Sequence, residues 1–434
     1  MFNPIDFRRE LHQYAEQSWH EVRTSARIAE ELSKMGYEPL VGDDAVCPDI
    51  ISSMVRPTEE ERKSDMLRAV DQGADADWVK KTGGIPGVVA VLDTGKPGPV
   101  VAFRADIDAL PYCEKTETGD AAEKYGYKSV NEAVHACGHD GHTAIVLGLA
   151  DRLISERESL KGKIKFLFQP AEEAYFGAES IVEKGHLDDV DVLVTMHIAL
   201  SGDNKPLPSG TLALGCDDFL SYRRMDVEFI GRAAHPCGAA QEGRNAILAA
   251  CAATLGIHSI APHEDGLFRV NVGLISGGIA INTIAPDATI CLEYRGETEA
   301  IETYAAQRVD NILKGTAEMY GCQLKITDYG STVTAKSDRS LMELIRETAV
   351  EEGLFTEKIF EIGNVGGSDD ATVMMRRVQS HGGVATYMGI GADTTHPLHN
   401  EAFDFDEASL EEAILLCENI TRKAEKLEKN YSQK

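Results

Sequence analysis

The run His135-Ala136-Cys137-Gly138-His139-Asp140-Gly141-His142 sets the tightest limit on how this chain can fold. It crowds three imidazoles, a thiol and a carboxylate into one short segment, with two glycines between them. An apolar core gains little from burying such a run, whereas a divalent cation gains several ligands from it. A fold that buries it must bring more donors alongside. The segments that can do so are Glu172-Glu173, Met196-His197 and His396-Pro397-Leu398-His399. Together these segments read as a two-metal hydrolase.

Each donor taken alone has a plainer reading. A single histidine at a strand end is most often a hydrogen-bonded structural residue, an isolated Glu-Glu pair is usually solvated surface, and a buried cysteine is usually a small hydrophobe. The balance shifts because imidazoles and acids recur at the ends of successive apolar strands. Cys137 and His139 are one residue apart, which in an extended segment puts both side chains on one side of the backbone. Gly138 and Gly141 permit a close approach or a positive φ. Thiolate, imidazole and carboxylate ligands suit Zn²⁺, Mn²⁺, Co²⁺ or Ni²⁺ better than Mg²⁺ or Ca²⁺. A thiolate can also bridge two ions about 3.5–4 Å apart. Asp106 or Asp108, following the strand through Phe103, is placed to orient a ligating imidazole.

The surrounding pattern is that of an α/β layer fold. Residues 6–35 have helical spacing, and 55–90 form a polar, acidic excursion containing a helix. Val88–Leu92 and Pro99–Arg104 read as adjacent strands turning at Asp93-Thr94-Gly95. A helix from His142, strands at 164–168 and 190–196 and a helix at 177–184 follow. From 215 the order changes to strand–helix–strand–strand–helix–strand, the signature of a ferredoxin-like α/β sandwich. Features of the first domain resume after 335, ending in a helix from Glu407 to about Lys429. The expectation is a catalytic domain of residues 1–214 and 332–434, with a central, mostly parallel sheet flanked by helices. Residues 215–331 form the inserted domain.

The formal charge of −28 disfavours nucleic acid and anionic membranes as partners. Nine cysteines without a framework spacing fit reduced thiols in a cytoplasmic setting. The N-terminus has no apolar signal region, and no 18-residue apolar stretch occurs. Gly277-Gly278 and Gly366-Gly367 are weak as nucleotide motifs, and Ser368-Asp369-Asp370 reads as a helix cap. There is no Gly-x-Ser-x-Gly elbow.

Four segments carry a family resemblance: Phe103-Arg-Ala-Asp-Ile-Asp-Ala-Leu-Pro111, His135 to Ala144, Phe168-Gln-Pro-Ala-Glu-Glu173 and the late His399. They resemble the amidohydrolase branch of the aminoacylase and carboxypeptidase-G-like metallopeptidases. That branch includes hydrolases of hippurate, auxin conjugates, N-acetyl-diaminopimelate and aminobenzoyl-glutamate. The acidic segment ending in Gly83-Gly84-Ile85-Pro86-Gly87, with Asn364–Thr372 and His399–Asp406, is most similar to the aminobenzoyl-glutamate-hydrolysing members.

The resemblance implies a metal-dependent amidohydrolase with two divalent ions per subunit, Mn²⁺ or Zn²⁺. Its ligands are Cys137, His139, Glu173, His197 and His399, with Cys137 as bridge. Glu172 is the general base. His235 belongs to the inserted domain and steadies the oxyanion in a neighbouring subunit's site. Arg295 and Asn282 face the substrate, an N-acyl amino acid. The inserted domain serves as lid and dimerisation element, in a homodimer or in a pair with a homologous B subunit. Where the wider peptidase pattern carries a His-x-Asp ligand motif, this chain has Arg104-Ala105-Asp106. Arg104 cannot ligate a metal, and the Cys-Gly-His arrangement stands in for it. A non-catalytic metal-binding subunit is the alternative of a different class, and Glu172 beside Glu173 argues against it.

Overall fold

The computed structural model describes residues 2–50, 56–174 and 177–430. The chain divides into two compact units, Met1–Asp218 with Ala335–Lys434, and Phe219–Thr334. In chain order the first unit supplies β1 (Leu40–Val41), β2 (Val88–Asp93), β3 (Val100–Asp106), β4 (Lys163–Gln169), β5 (Val192–Ile198), a short ribbon of β6 (Ser201–Gly202) and β7 (Lys205–Pro206), and β8 (Thr211–Cys216). The second unit holds β9 (Ser221–Ile230), β10 (Phe268–Gly277), β11 (Asp287–Gly296) and β12 (Gln323–Thr332). The first unit resumes with β13 (Lys358–Gly363) and β14 (Val384–Ile390).

The large sheet has the order β1-β2-β4-β3-β5-β14-β8-β13. Pairing is parallel from β4 through β3 and β5 to β14, and between β13 and β8. It is antiparallel at β1–β2, β2–β4 and β14–β8. The central strands are apolar along their length because helices cover both faces; β5, Val-Leu-Val-Thr-Met-His-Ile, is buried at every residue. The helix His139–Ser155 is buried nearly all round. Gly141 lets it approach its neighbours, since a Cβ there would meet the Phe405 ring at 2.5 Å and Ile198 at 2.8 Å.

The expected strand pairing fails. β2 and β3 do not pair with each other, because β4 lies between them. The intervening loop is not a tight turn but crosses the start of β4. Thr94 N donates to Gly162 O, Gly162 N to Lys96 O and Lys163 N to Pro99 O. The acidic excursion holds two helices rather than one, Glu59–Asp71 and Ala76–Thr82; its residues 51–55 lie outside the described residues. The last helix is Ser409–Lys423, continued by a 3-10 turn to Asn430. The strands β8 and β13 add to the elements expected from the sequence, and the helix Ala371–Ser380 follows the cap read at Ser368-Asp369-Asp370.

The second unit is a four-stranded antiparallel sheet of order β10-β11-β9-β12. The helix Ala246–His258 joins β9 to β10, and Glu299–Tyr320 joins β11 to β12. Met225, Val227 and Phe229 of β9 pack with Ile290, Leu292 and Tyr294 of β11 against Ala253, Ile257, Val309 and Leu313 of the helices.

Candidate metal centre and active site

The parallel strands deliver the site residues to one edge of the large sheet. Asp106 closes β3 opposite Gln169, which closes β4. His197, near the end of β5, lies beside Gly389 of β14. Carboxyl ends of parallel strands are where such folds gather ligands. Among the described residues, the Cys137 sulfur and ring nitrogens of His139 and His197 fall within 4.8 Å of one another, and so do donor atoms of Cys137, Glu173 and His399. The two groups share Cys137.

The Cys-Gly-His segment is not extended, contrary to the expectation from its spacing; it bends. Gly138 sits in the left-handed region at φ 83, and the helix begins at His139. The bend, rather than strand alternation, brings both side chains to one point, and glycine adopts that φ without steric cost.

Hydrogen bonds fix which imidazoles have a free lone pair. His139 Nδ1 faces the Asp108 carbonyl at 3.0 Å and Asp108 Oδ1 at 3.2 Å, so it carries the proton. His197 Nδ1 donates to Ile198 O at 2.5 Å, which turns a bare Nε2 toward Cys137 Sγ at 3.4 Å. His142 is different: Nδ1 donates to Asp106 Oδ1 at 2.6 Å and Nε2 accepts the Ile198 N–H at 2.9 Å. Both of its nitrogens are used, so it supports the site rather than ligating. Asp106 is equally occupied, since its Oδ2 accepts from Arg104 at 2.6 Å.

The loop after β4 separates the two glutamates. Ala171 has φ 51 and packs on the buried Trp19. Its N–H donates to Glu21 at 2.7 Å, while Glu173 N donates to Asp108 Oδ2 at 3.0 Å. Ser18 Oγ donates to the same Asp108 oxygen at 2.6 Å. So held, Glu173 faces His399, with Oε1 3.2 Å from Nε2. The buried Glu172 stands near His139 and Glu173 on one side and Asp369 and Asp370 on the other.

Burial, with the charges of Asp369 and Glu173, pushes the Glu172 carboxyl well above the usual range. Burial, with Glu173 and Glu172, does the same to the Cys137 thiol. Burial lowers His139, but Asp106 and Asp108 outweigh it and raise it to about 10. Burial and the neighbouring His142 hold His197 well below the usual imidazole range. The pocket gathers more acidic groups than its protein cations balance.

The donors fit a metal. His139 Nε2 is buried without a hydrogen-bond partner, and so is Glu173 Oε1 despite its closeness to His399. Buried polar atoms of this kind are rare unless something binds them. A sulfur, imidazoles and a carboxylate form the donor set of a zinc-class ion.

His235, Asn282 and Arg295 lie in the second unit. His235 Nδ1 accepts the N–H groups of Cys237 and Gly238 on an exposed loop. Asn282 is on the neighbouring loop, joined through Ile284 N to Ala234 O. Arg295 stands elsewhere. Asp287 pairs with Ile230 at one end of β11, and Arg295 pairs with Tyr222 near the other. The strand separates Arg295 from the His235 end by about 27 Å at 3.4 Å per residue. Arg295 pairs with Glu293 at 3.3 Å and stacks over Tyr222. Arg232 pairs with Glu242 at 3.0 Å.

Several neighbours of the site escape a reading of the sequence. Asp369 caps the helix Ala371–Ser380 through Ala371 N at 2.7 Å, yet with Asp370 it also borders Glu172. The signal that could find them is a second pair of adjacent acids after a Gly-Gly turn. Ser18, Glu21 and Tyr112 carry no pattern that distinguishes them from ordinary loop residues.

Residues 102–423 match the peptidase family M20/M25/M40. The chain is 42% identical over 403 residues to an indole-3-acetyl-aspartic acid hydrolase of Enterobacter agglomerans, covering 92% of this chain and 91% of that one. It is 40% identical over 410 residues to a p-aminobenzoyl-glutamate hydrolase subunit of Escherichia coli, covering 94% of this chain and 92% of that one. The crystal structure of an aminobenzoyl-glutamate utilization protein from Klebsiella pneumoniae superposes with a TM-score of 0.79 at 35% identity, covering 97% of this chain and 95% of that one. With its donor set built at the ends of parallel strands, the chain belongs to peptidase family M20/M25/M40 and is a metal-dependent amidohydrolase.

Proposed function

We propose that the protein hydrolyses the amide bond of an N-acyl amino acid in which an aromatic acyl group is joined to an acidic amino acid, p-aminobenzoyl-glutamate first among them. The observation that carries this reading is the shared Cys137, which faces His197 at 3.4 Å and His399 at 3.5 Å with Glu173 beside it. The similar proteins named for aminobenzoyl-glutamate and indole-acetyl-aspartate support the substrate class, since both substrates join an aromatic acyl group to a dicarboxylic amino acid. Indole-acyl aspartate is therefore the second reading.

Cys137, His139, Glu173, His197 and His399 would hold two ions, Zn²⁺ or Mn²⁺. Bound there, they supply Lewis acidity and a water of lowered pKa. Glu172 takes a proton as water adds to the amide carbonyl carbon, then gives it to the nitrogen as the C–N bond breaks. The departing group is the amino acid's α-amine, so this protonation is required. His235 donates to the developing oxyanion.

His235 and Arg295 stand at opposite ends of a strand, so one substrate cannot touch both on a single copy of the second unit. The proposal assigns His235, with Asn282, to a neighbouring subunit's site, and Arg295 to a carboxylate of the substrate. The second unit, Phe219–Thr334, is then the ferredoxin-like lid and dimerisation domain expected at 215–331. Its strand order supports this, as does the edge strand β10, where Leu274 and Ile275 are exposed. The partner is a second copy or a homologous B subunit, and the setting is cytoplasmic. Among the described residues no helix is long and apolar enough to cross a membrane.

Metal analysis followed by hydrolysis of p-aminobenzoyl-glutamate, indole-3-acetyl-aspartate and hippurate tests this. Turnover of the first, lost on chelation and restored by Zn²⁺ or Mn²⁺, is expected. A protein free of metal, or one that prefers hippurate, would overturn the assignment.

A further inference from the structure

His399 is the one proposed ligand held by an exposed loop. Its side chain is 54% accessible. Its backbone lies in the left-handed region at φ 64, which L side chains seldom adopt. A ligand so placed needs its backbone fixed from both sides if its ring is to meet a cation without rearrangement. One side is held by Ala136 O, which accepts the His399 N–H at 2.8 Å. The other is held by Tyr112, whose hydroxyl donates to His399 O at 2.7 Å.

Tyr112 belongs to a strap that is itself anchored. Leu110 pairs with Val134 through both backbone bonds, at 3.0 and 3.1 Å, and Tyr112 N donates to Leu110 O at 3.0 Å. Glu114 is buried and accepts the Ser129 N–H at 2.6 Å. Beyond it, Lys115 N donates to Glu401 O at 2.8 Å, and the Lys115 and Glu401 side chains pair. The strap thus joins the segment leading to Cys137 to the loop carrying His399. Its only side-chain bond to His399 itself is the Tyr112 hydroxyl, among the described residues.

We propose that Tyr112 is a positioning residue for His399, its hydroxyl fixing the His399 backbone so that Cys137, Glu173 and His399 present a preformed cation site. The inference rests on the two-ion reading above. It predicts an asymmetric defect: none of Cys137, His139 and His197 is bonded to the Tyr112 hydroxyl, whereas His399 is.

The test is equilibrium dialysis of Zn²⁺ against metal-free Tyr112→Phe, His399→Asn and wild-type protein, with the thermal midpoint of each metal-free form. Tyr112→Phe keeps the ring and removes only the hydroxyl. It should bind two ions, one as tightly as wild type and the other about tenfold more weakly, with an unchanged metal-free midpoint. His399→Asn should lose that weaker step and mark which one it is. Tyr112→Phe binding both ions like wild type overturns the inference. So does an equal loss at both steps with a lowered midpoint, which would mean general damage. Wild-type protein binding fewer than two ions overturns the two-ion reading itself, and the inference with it.

Discussion

Cys137 Sγ lies 3.5 Å from Nε2 of His399, a residue 262 positions further along the chain. The same sulfur lies 3.4 Å from Nε2 of His197. A thiol placed between two imidazole nitrogens joins the donor groups through one atom. The helix His139–Ser155 and the strap at 110–115 are arranged around that convergence.

Cys137→Ser should therefore weaken both metal-binding steps together, each by more than about tenfold. A variant at a residue of one group alone should weaken one step. Zinc binding by dialysis measures the difference. Loss of a single step in Cys137→Ser would show that the sulfur serves only one ion.

Glu172→Gln should keep its metal and lose turnover. The amide preserves shape and burial but cannot take or return the proton, so kcat should fall about 10²–10⁴-fold. Metal content and KM should change little. Hydrolysis at the wild-type rate would remove Glu172 from the chemistry.

The parts of the fold legible in the sequence are those with an unmistakable period. β4 and β5 read as apolar runs because both faces are covered, and the second unit's β9 alternates because only one face is. Long-range order is less legible: the proximity of β2 and β3 in sequence suggests a pair, although β4 separates them. At the site, donor types and strand-end positions are visible, but the bend at Gly138 is not. Nor can the sequence show that His142 spends both nitrogens on Asp106 and Ile198, since that depends on partners 36 and 56 residues away.

His12 gives a pH dependence with a definite sign. It is fully buried; burial and Arg8 pull its pKa down, but Asp140 and Glu114 outweigh them and raise it to about 9. A histidine raised from 6.5 contributes stability that is fully present below about 6.5 and lost as pH rises through about 9. The loss should be on the order of 3 kcal/mol. Urea unfolding of the wild type should show a falling midpoint across that window, and His12→Gln should flatten it. An unchanged slope in the variant would assign the loss to other groups.

Arg104, in β3, is fully buried. Its Nε donates to Gln169 at 2.8 Å, Nη1 to Asp106 at 2.6 Å and Nη2 to Asp370 at 3.3 Å. One planar fork thereby ties β3, the end of β4 and the helix cap beside Glu172, while Asp106 in turn holds His142. Arg104→Gln leaves buried carboxylates without their cation and should cost roughly 3–5 kcal/mol. Arg104→Lys keeps the charge but offers a single nitrogen, which cannot replace a fork with three directions. It should recover only part of the loss in urea unfolding. Full recovery by lysine would mean that the charge alone, not the fork, holds Asp106 and Asp370 in place.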